Sequence, residues 1–205
     1  MWPLKIERYR RRDREPAVRL LARAFRDNPL NRAVIGPDAN TRLRSNIHGM
    51  RAHLPPAEDH GVLRTARCGS DLAGMLISAP PFAWPFPAPA WGPRLRCLAG
   101  QGMGVARRWA AVSEALREHH ALGPHWYLAT LGVEPEQWGL GVGSALLADW
   151  LAQVDADQGR AYLETDAPRN QPFYERAGFR TTGEIQVFGT TVWLMERPDR
   201  ASGQP

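Results

Sequence analysis

Residues 126–157 read WYLATLGVEPEQWGLGVGSALLADWLAQVDAD, and the fold turns on how this stretch divides. Trp126 to Val133 is a run of strand-forming residues. From about Ser144 to Asp157, the residues Leu146, Leu147, Trp150, Leu151 and Val154 recur at helical spacing and give a helix one apolar face. Gly139, Gly141 and Gly143 lie between strand and helix. A glycine-rich turn that opens a helix presents backbone N–H groups with no side chain over them, and the helix dipole adds positive potential, so the turn suits a pyrophosphate. Two common phosphate motifs do not fit. No Gly-Lys-Ser/Thr follows, and the glycine spacing is not that of the dinucleotide fingerprint. Read in isolation, the glycines also fit a tight turn that serves packing alone.

Working outward, Ala161 to Thr165 reads as a further strand, followed by a short helix at Asn170 to Ala177. Arg180 to Val187 and Thr190 to Glu196 form a hairpin around Phe188 and Gly189. Upstream, a strand at residues 4–9 precedes a helix from about Glu15 to Arg26, with Pro16 in its first turn and Val18, Leu21, Ala22 and Phe25 on its buried face. A helix is expected at Thr41 to Leu54, strands at Val62 to Ala66 and Leu72 to Ser78, and a helix at Gly102 to Glu118. Pro80 to Pro93, with six prolines and Phe82, Trp84, Phe86 and Trp91, is expected as a loop. Its aromatics pack back on the core or wall a substrate pocket. Alternating strands and helices that end in a hairpin predict an α/β domain with a mixed central sheet flanked by helices.

The segment His125 to Gly178 closely resembles the GNAT superfamily of acyl-CoA-dependent N-acetyltransferases. One motif is Trp138 to Gly143, which matches that family's Gln/Arg-x-x-Gly-x-Gly/Ala pyrophosphate loop at Gly141 and Gly143. Trp138 stands where Gln or Arg is usual, and Leu140 where a polar residue is common. The other is LETDAPRNQPFYERAGF, Leu163 to Phe179. More narrowly, WYLATLGVEP and APRNQPFYERAGF are similar to puromycin N-acetyltransferase-like members.

The resemblance implies one GNAT-like domain over 1–198, its cofactor-binding core at about 125–196 and a flexible tail at 199–205. It also implies a splayed strand pair at the cofactor site and acetyl-CoA as acyl donor. The cofactor-binding residues it implies are Leu131, Gly132, Val133, Trp138, Gly139, Leu140, Gly141, Val142, Gly143, Ser144, Asn170 and Tyr174. Val133 supplies an N–H to the acetyl carbonyl, and Gly132 permits a bulge. Tyr174 is the implied general acid; without the resemblance, a tyrosine beside Phe173 and Phe179 reads as core.

An ordinary alkylammonium must lose a proton before it attacks, at a cost of about 4.6 kcal/mol at pH 7. Glu164 is the first candidate base, with Glu136 and His125 behind it, although a carboxylate at a strand end also pairs readily with arginine. Trp84, Trp91 and Trp126 are the candidate substrate walls. The expected reaction is acetyl transfer from acetyl-CoA to a primary amine, a small molecule by the narrower resemblance, by direct attack in a ternary complex. The alternatives are a protein amine acetyltransferase and a non-catalytic acetyl-CoA sensor.

Composition narrows the field further. The 205 residues have 43% hydrophobic and 23% charged content, too balanced for wholesale disorder. The net charge is +5, yet acidic residues interleave with the arginines that supply every basic position except Lys5, so no nucleic-acid partner is expected. The histidines have no zinc spacing and are expected at the surface or in loops, with no metal. Cys68 and Cys97 form no disulfide framework, which fits a cytoplasmic protein. No signal core or membrane span is legible. A monomer or homodimer is expected.

Overall fold

A computed structural model describes residues 3–199 as one α/β domain. In chain order the elements are β1 (Leu4–Arg8), α1 (Arg14–Ala24), α2 (Pro29–Ile35), α3 (Ala39–His60), β2 (Val62–Cys68) and β3 (Asp71–Ala79). Next come α4 (Trp91–Gln101), α5 (Met103–Glu118), β4 (Trp126–Val133), α6 (Val142–Ala156), β5 (Ala161–Thr165), α7 (Gln171–Glu175), β6 (Arg180–Val187) and β7 (Thr190–Arg197). The seven strands form one mixed sheet in the order β1-β2-β3-β4-β5-β7-β6. Apart from Asp199, the tail expected at 199–205 lies outside the described residues.

Each sheet face carries its own core. On one face, Leu146, Leu147, Trp150, Leu151 and Val154 of α6 pack on Leu76, Leu128, Leu163 and Met195 of the sheet. A fully buried Leu or Val stabilises by about 1.5–3 kcal/mol, so this apolar stripe anchors α6 and with it the glycine turn at its start. On the other face, Val18, Leu20 and Leu21 of α1 meet Leu54, Leu63, Met75 and Ile77. Two arginines at the entry to α1 are paired, Arg11 with Asp59 and Arg14 with Glu58, while Asp13 there pairs with Arg67 of β2.

The central strands position the site. β3 and β4 pair along their length, with a bulge that skips Ala129: Ile77 faces Thr130 while Ser78 faces Leu128. The bulge expected at Gly132 therefore sits nearer the middle of the strand. Gly132 serves a different need, because a Cβ there would come within 2.6 Å of Leu21 Cδ2. β4 and β5 run parallel and pair only at Trp126–Ala161 and Tyr127–Tyr162, after which they diverge. This is the splayed pair.

Several elements differ from the sequence reading. α2 follows Asn28, with Pro29 preset for its first turn. α3 continues through Pro55 and Pro56 to His60, its last part held by buried Leu54 and Ala57. α4 begins inside the proline-rich stretch, because Pro93 falls in its first turn, where a missing N–H is tolerated.

Candidate active site

The splay opens a cleft of about 440 Å³, lined from one side by Leu131, Gly132 and Val133, from below by Gln137 to Gly139 and Gly141 to Ser144, and closed by Asn170, Phe173 and Tyr174. It thus gathers most of the expected cofactor residues. Leu140 does not line it and is largely exposed.

The floor is the start of α6. Gly139 and Gly141 have φ of 77° and 83°, in the left-handed region that disfavours side chains, and Gly141 is the residue capping the helix. The first intrahelical bond described runs from Ala145 N to Gly141 O, so the N–H groups of Val142, Gly143 and Ser144 have no helical acceptor. Unobstructed donors at a helix start fit a pyrophosphate. Trp138 does not supply the missing side-chain donor. Its indole instead donates to Val133 O at 2.8 Å, tying the turn to the end of β4, and Arg169 lies 4.5 Å from its ring centre. Arg169 and Arg176 line the cleft and have no carboxylate partner among the described ion pairs. Anionic groups entering here meet two cations from outside the glycine motif.

The edge of β4 forms the wall. Glu134 N donates to Ala73 O, and main-chain groups alternate in direction along an antiparallel strand. The N–H groups of Leu131 and Val133 therefore point away from β3, toward the gap that β5 has left. Val133 N–H is free to meet a carbonyl there, while Val133 O is already used by Trp138. Arg23 fixes the strand end through a two-pronged contact with Glu134 at 2.6 and 2.7 Å.

Tyr174 comes from α7. Its ring contacts Phe173 and Phe179 edgewise, and burial, with the charge of Asp166, pushes its pKa well up, so the phenol stays protonated. Asn170 is oriented by its amide donating to Thr165 Oγ1 at 3.1 Å. Asp166 accepts from Leu30 N at 2.8 Å and Asn28 Nδ2 at 3.3 Å, which joins the end of β5 to the start of α2. Burial raises its pKa.

The candidate bases and substrate walls are dispersed. Glu164 does not line the cleft; it lies at the root of the splay on the opposite face from α6, bonded to Tyr127 and His120. His125 joins it through His120, whereas Glu136 is exposed. Trp84 stacks on His120 with ring centres 3.7 Å apart. Trp91 is 75% exposed at the start of α4, and Trp126, 3% exposed, belongs to the core beneath α6. His120 lies in the loop between α5 and β4, one of the two places expected for the histidines, but its side chain is only 9% exposed. Phe25, Asn28, Arg169 and Arg176 of the cleft were not marked as site residues; Arg169 and Arg176 lie within the motif that carries Asn170 and Tyr174, whereas Phe25 read as the buried face of α1 and Asn28 follows no pattern. Among the described residues no group of His, Cys, Asp or Glu is arranged to hold a metal, and no helix is long and apolar enough to cross a membrane.

Residues 99–181 match the sequence model of the acetyltransferase (GNAT) domain. A solved structure from Corynebacterium glutamicum, described as histone acetyltransferase HPA2 and related acetyltransferase, is 23% identical, covers 98% of each chain and superposes with a TM-score of 0.74. The PaiA N-acetyltransferase of Thermoplasma acidophilum, solved in complex with coenzyme A, is 12% identical over 96% of this chain and 99% of its own, with a TM-score of 0.61. Arylalkylamine N-acetyltransferase 2 of Aedes aegypti is 14% identical over 95% and 98%, also at 0.61. The chain thus has the fold of the GNAT acetyltransferases, with their acetyltransferase domain matched over residues 99–181.

Proposed function

We propose that the protein transfers an acetyl group from acetyl-CoA to a primary amine, by direct attack within a ternary complex. One observation carries this reading: a single cleft joins the free N–H groups at the start of α6, the unpaired edge of β4 and the Tyr174 phenol. The donor set matches the donor molecule from end to end. Val142 to Ser144, with Arg169 and Arg176, hold the pyrophosphate. Leu131 and Val133 hold the amide-bearing arm and polarise the thioester carbonyl, an arrangement that places a fixed dipole where negative charge develops. Acetyl-CoA supplies an acyl carbon joined to a good leaving group, a thiolate.

The chain's residues then manage protons. The acceptor nitrogen bonds to the acyl carbon, the carbon–sulfur bond breaks, and the nitrogen gives up its proton. Tyr174, which lines the same cleft, would meet the departing sulfur. Full proton transfer from an unperturbed phenol to a thiolate is uphill by about 2 kcal/mol, and burial of Tyr174 widens that gap. Tyr174 therefore works by hydrogen-bonding the developing thiolate, with the proton reaching sulfur as product leaves.

A small-molecule acceptor is favoured by the similarity of WYLATLGVEP and APRNQPFYERAGF to puromycin N-acetyltransferase-like enzymes. A protein amine is the second reading. A non-catalytic sensor has only Trp138 in its favour, and Arg169 compensates for that change. Thiol release from acetyl-CoA, assayed against a panel of small amines and amine-bearing peptides, tests the proposal: release with a small amine supports it, release with peptides alone transfers it to the protein class, and tight coenzyme A binding with no release overturns it.

A further inference from the structure

A chain of polar side chains runs from the root of the splay to the surface, on the sheet face opposite α6. Glu164 sits on β5 two residues past its last pair with β4, at the root of the splay and outside the lining of the cleft. Tyr127 Oη donates to Glu164 Oε2 at 2.6 Å. Glu164 Oε1 lies 3.3 Å from His120 Nδ1, and His120 Nε2 lies 3.0 Å from His125 Nε2. His125 Nδ1 lies 2.8 Å from Gly123 O. The His120 and Glu164 side chains are 9% and 6% exposed, and His125 is partly exposed.

Proton counting gives this chain a direction. A carbonyl only accepts, so His125 Nδ1 carries a hydrogen, and neutral His125 leaves Nε2 as an acceptor. Burial lowers the pKa of His125 and keeps it neutral. His120 Nε2 must then donate to it, which leaves neutral His120 with a bare Nδ1 facing a carboxylate oxygen: two acceptors in contact. One added proton, on Nδ1 or on Glu164, satisfies every contact. The other groups facing the chain do not remove the mismatch. Tyr127 already donates to the other oxygen, Tyr162 is kept protonated by burial beside Glu164, Trp84 offers His120 only its ring face, and Arg160 and Glu196 act on His125 with opposite sign.

We infer that Glu164, His120 and His125 form a one-proton acceptor that takes the proton released by the attacking amine and passes it through His125 to solvent. The transfer balances: the acceptor nitrogen loses H⁺, His120 becomes imidazolium between Glu164 and His125, and water takes that proton after the product leaves. The inference rests on the acetyl-transfer reading for its proton donor, but the proton count itself does not.

The test uses the full chain with ¹⁵N-labelled histidine, read by NMR across pH 5.5 to 8.5. In the wild type, His125 should hold its hydrogen on Nδ1 throughout, while His120 changes from Nε2–H alone to hydrogen on both nitrogens as pH falls. Glu164→Gln supplies an amide donor to Nδ1, and His125→Ala frees His120 to turn its hydrogen toward Glu164. Both variants cure the mismatch, so in both His120 should take up its second proton at distinctly lower pH. Retained coenzyme A binding certifies the fold of each variant. With the best amine from the thiol-release panel, Glu164→Gln should lower kcat/KM by roughly 10²–10⁴-fold and remove its rising limb with pH. A wild-type His120 holding hydrogen on Nδ1 alone, or no change in its titration in either variant, overturns the inference. Unaltered kinetics in Glu164→Gln also overturns it. Absence of thiol release from the wild type defeats the acetyl-transfer reading, a result the NMR arm does not share.

Discussion

The Arg169 guanidinium rests 4.5 Å from the centre of the Trp138 ring, and the Trp138 indole is in turn bonded to Val133 O. The pair brings a cation to Trp138, one of the two loop positions, with Leu140, where the resembled pattern has a polar or basic residue and this sequence does not. Aromatic stacking holds the cation at the cleft, with no carboxylate in ion-pair contact with it among the described pairs.

Removing that cation should weaken coenzyme A binding. A charge-assisted hydrogen bond contributes about 1.5–3 kcal/mol when well formed, and Arg169 is exposed, so Arg169→Ala should raise Kd roughly tenfold and flatten its salt dependence. Trp138→Ala should weaken binding in the same direction. Calorimetry at low and high salt reads both, and an unchanged Kd in Arg169→Ala removes the arginine from the site.

Tyr174→Phe keeps the ring packing against Phe173 and Phe179 and deletes only the hydroxyl. Turnover should fall by about 10²-fold or more while coenzyme A affinity stays within twofold, because in the proposed reaction the hydroxyl acts on the leaving sulfur. Steady-state kinetics with calorimetry separates the two, and unchanged kcat at saturating substrate contradicts the assignment.

Gly141→Ala forces a side chain into left-handed backbone at φ 83°, although nothing lies within 4 Å of the new Cβ. The cost should be about 1–2 kcal/mol in stability, with weaker cofactor binding as the N–H cradle tilts. Gly132→Ala fails for the opposite reason, contact with Leu21, and should cost about 1–3 kcal/mol. Urea unfolding with and without coenzyme A measures these effects.

Asp166 gives a pH signature of stability. Burial raises its folded pKa above the ordinary 3.8, so between that value and the raised one the folded chain holds more protons than the unfolded chain. Stability should therefore fall as pH rises through this window. Asp166→Asn retains an oxygen for Leu30 N and removes the ionisation, so its urea midpoint should gain on the wild type as pH rises from 4 to 7; parallel curves would exclude the effect.

The parts of this fold legible in the sequence are those whose cause is local. Trp126 to Val133 reads as a strand, and Leu146 to Val154 declares the buried face of α6, because each pattern reports one element's own burial. Tyr174 and Asn170 were reachable through the motif around them. α4 was hidden because Pro93 suppresses helix locally yet is harmless in a first turn. The bulge at Ala129 depends on register against β3, which no single strand encodes. Glu164 is far in sequence from His120 and His125, so His120, beside Glu118 and His119, read as a surface or loop histidine until packing under Trp84 gave it neighbours.

The central claim is that the cleft moves an acetyl group rather than only binding its carrier. The most direct measurement follows free thiol and acetylated amine together, with acetyl-CoA and a small primary amine, in wild type and Tyr174→Phe. The account predicts one thiol per amide formed, amine-dependent and much slower in the variant. Saturable coenzyme A binding without amine-dependent thiol release from the wild type would contradict it.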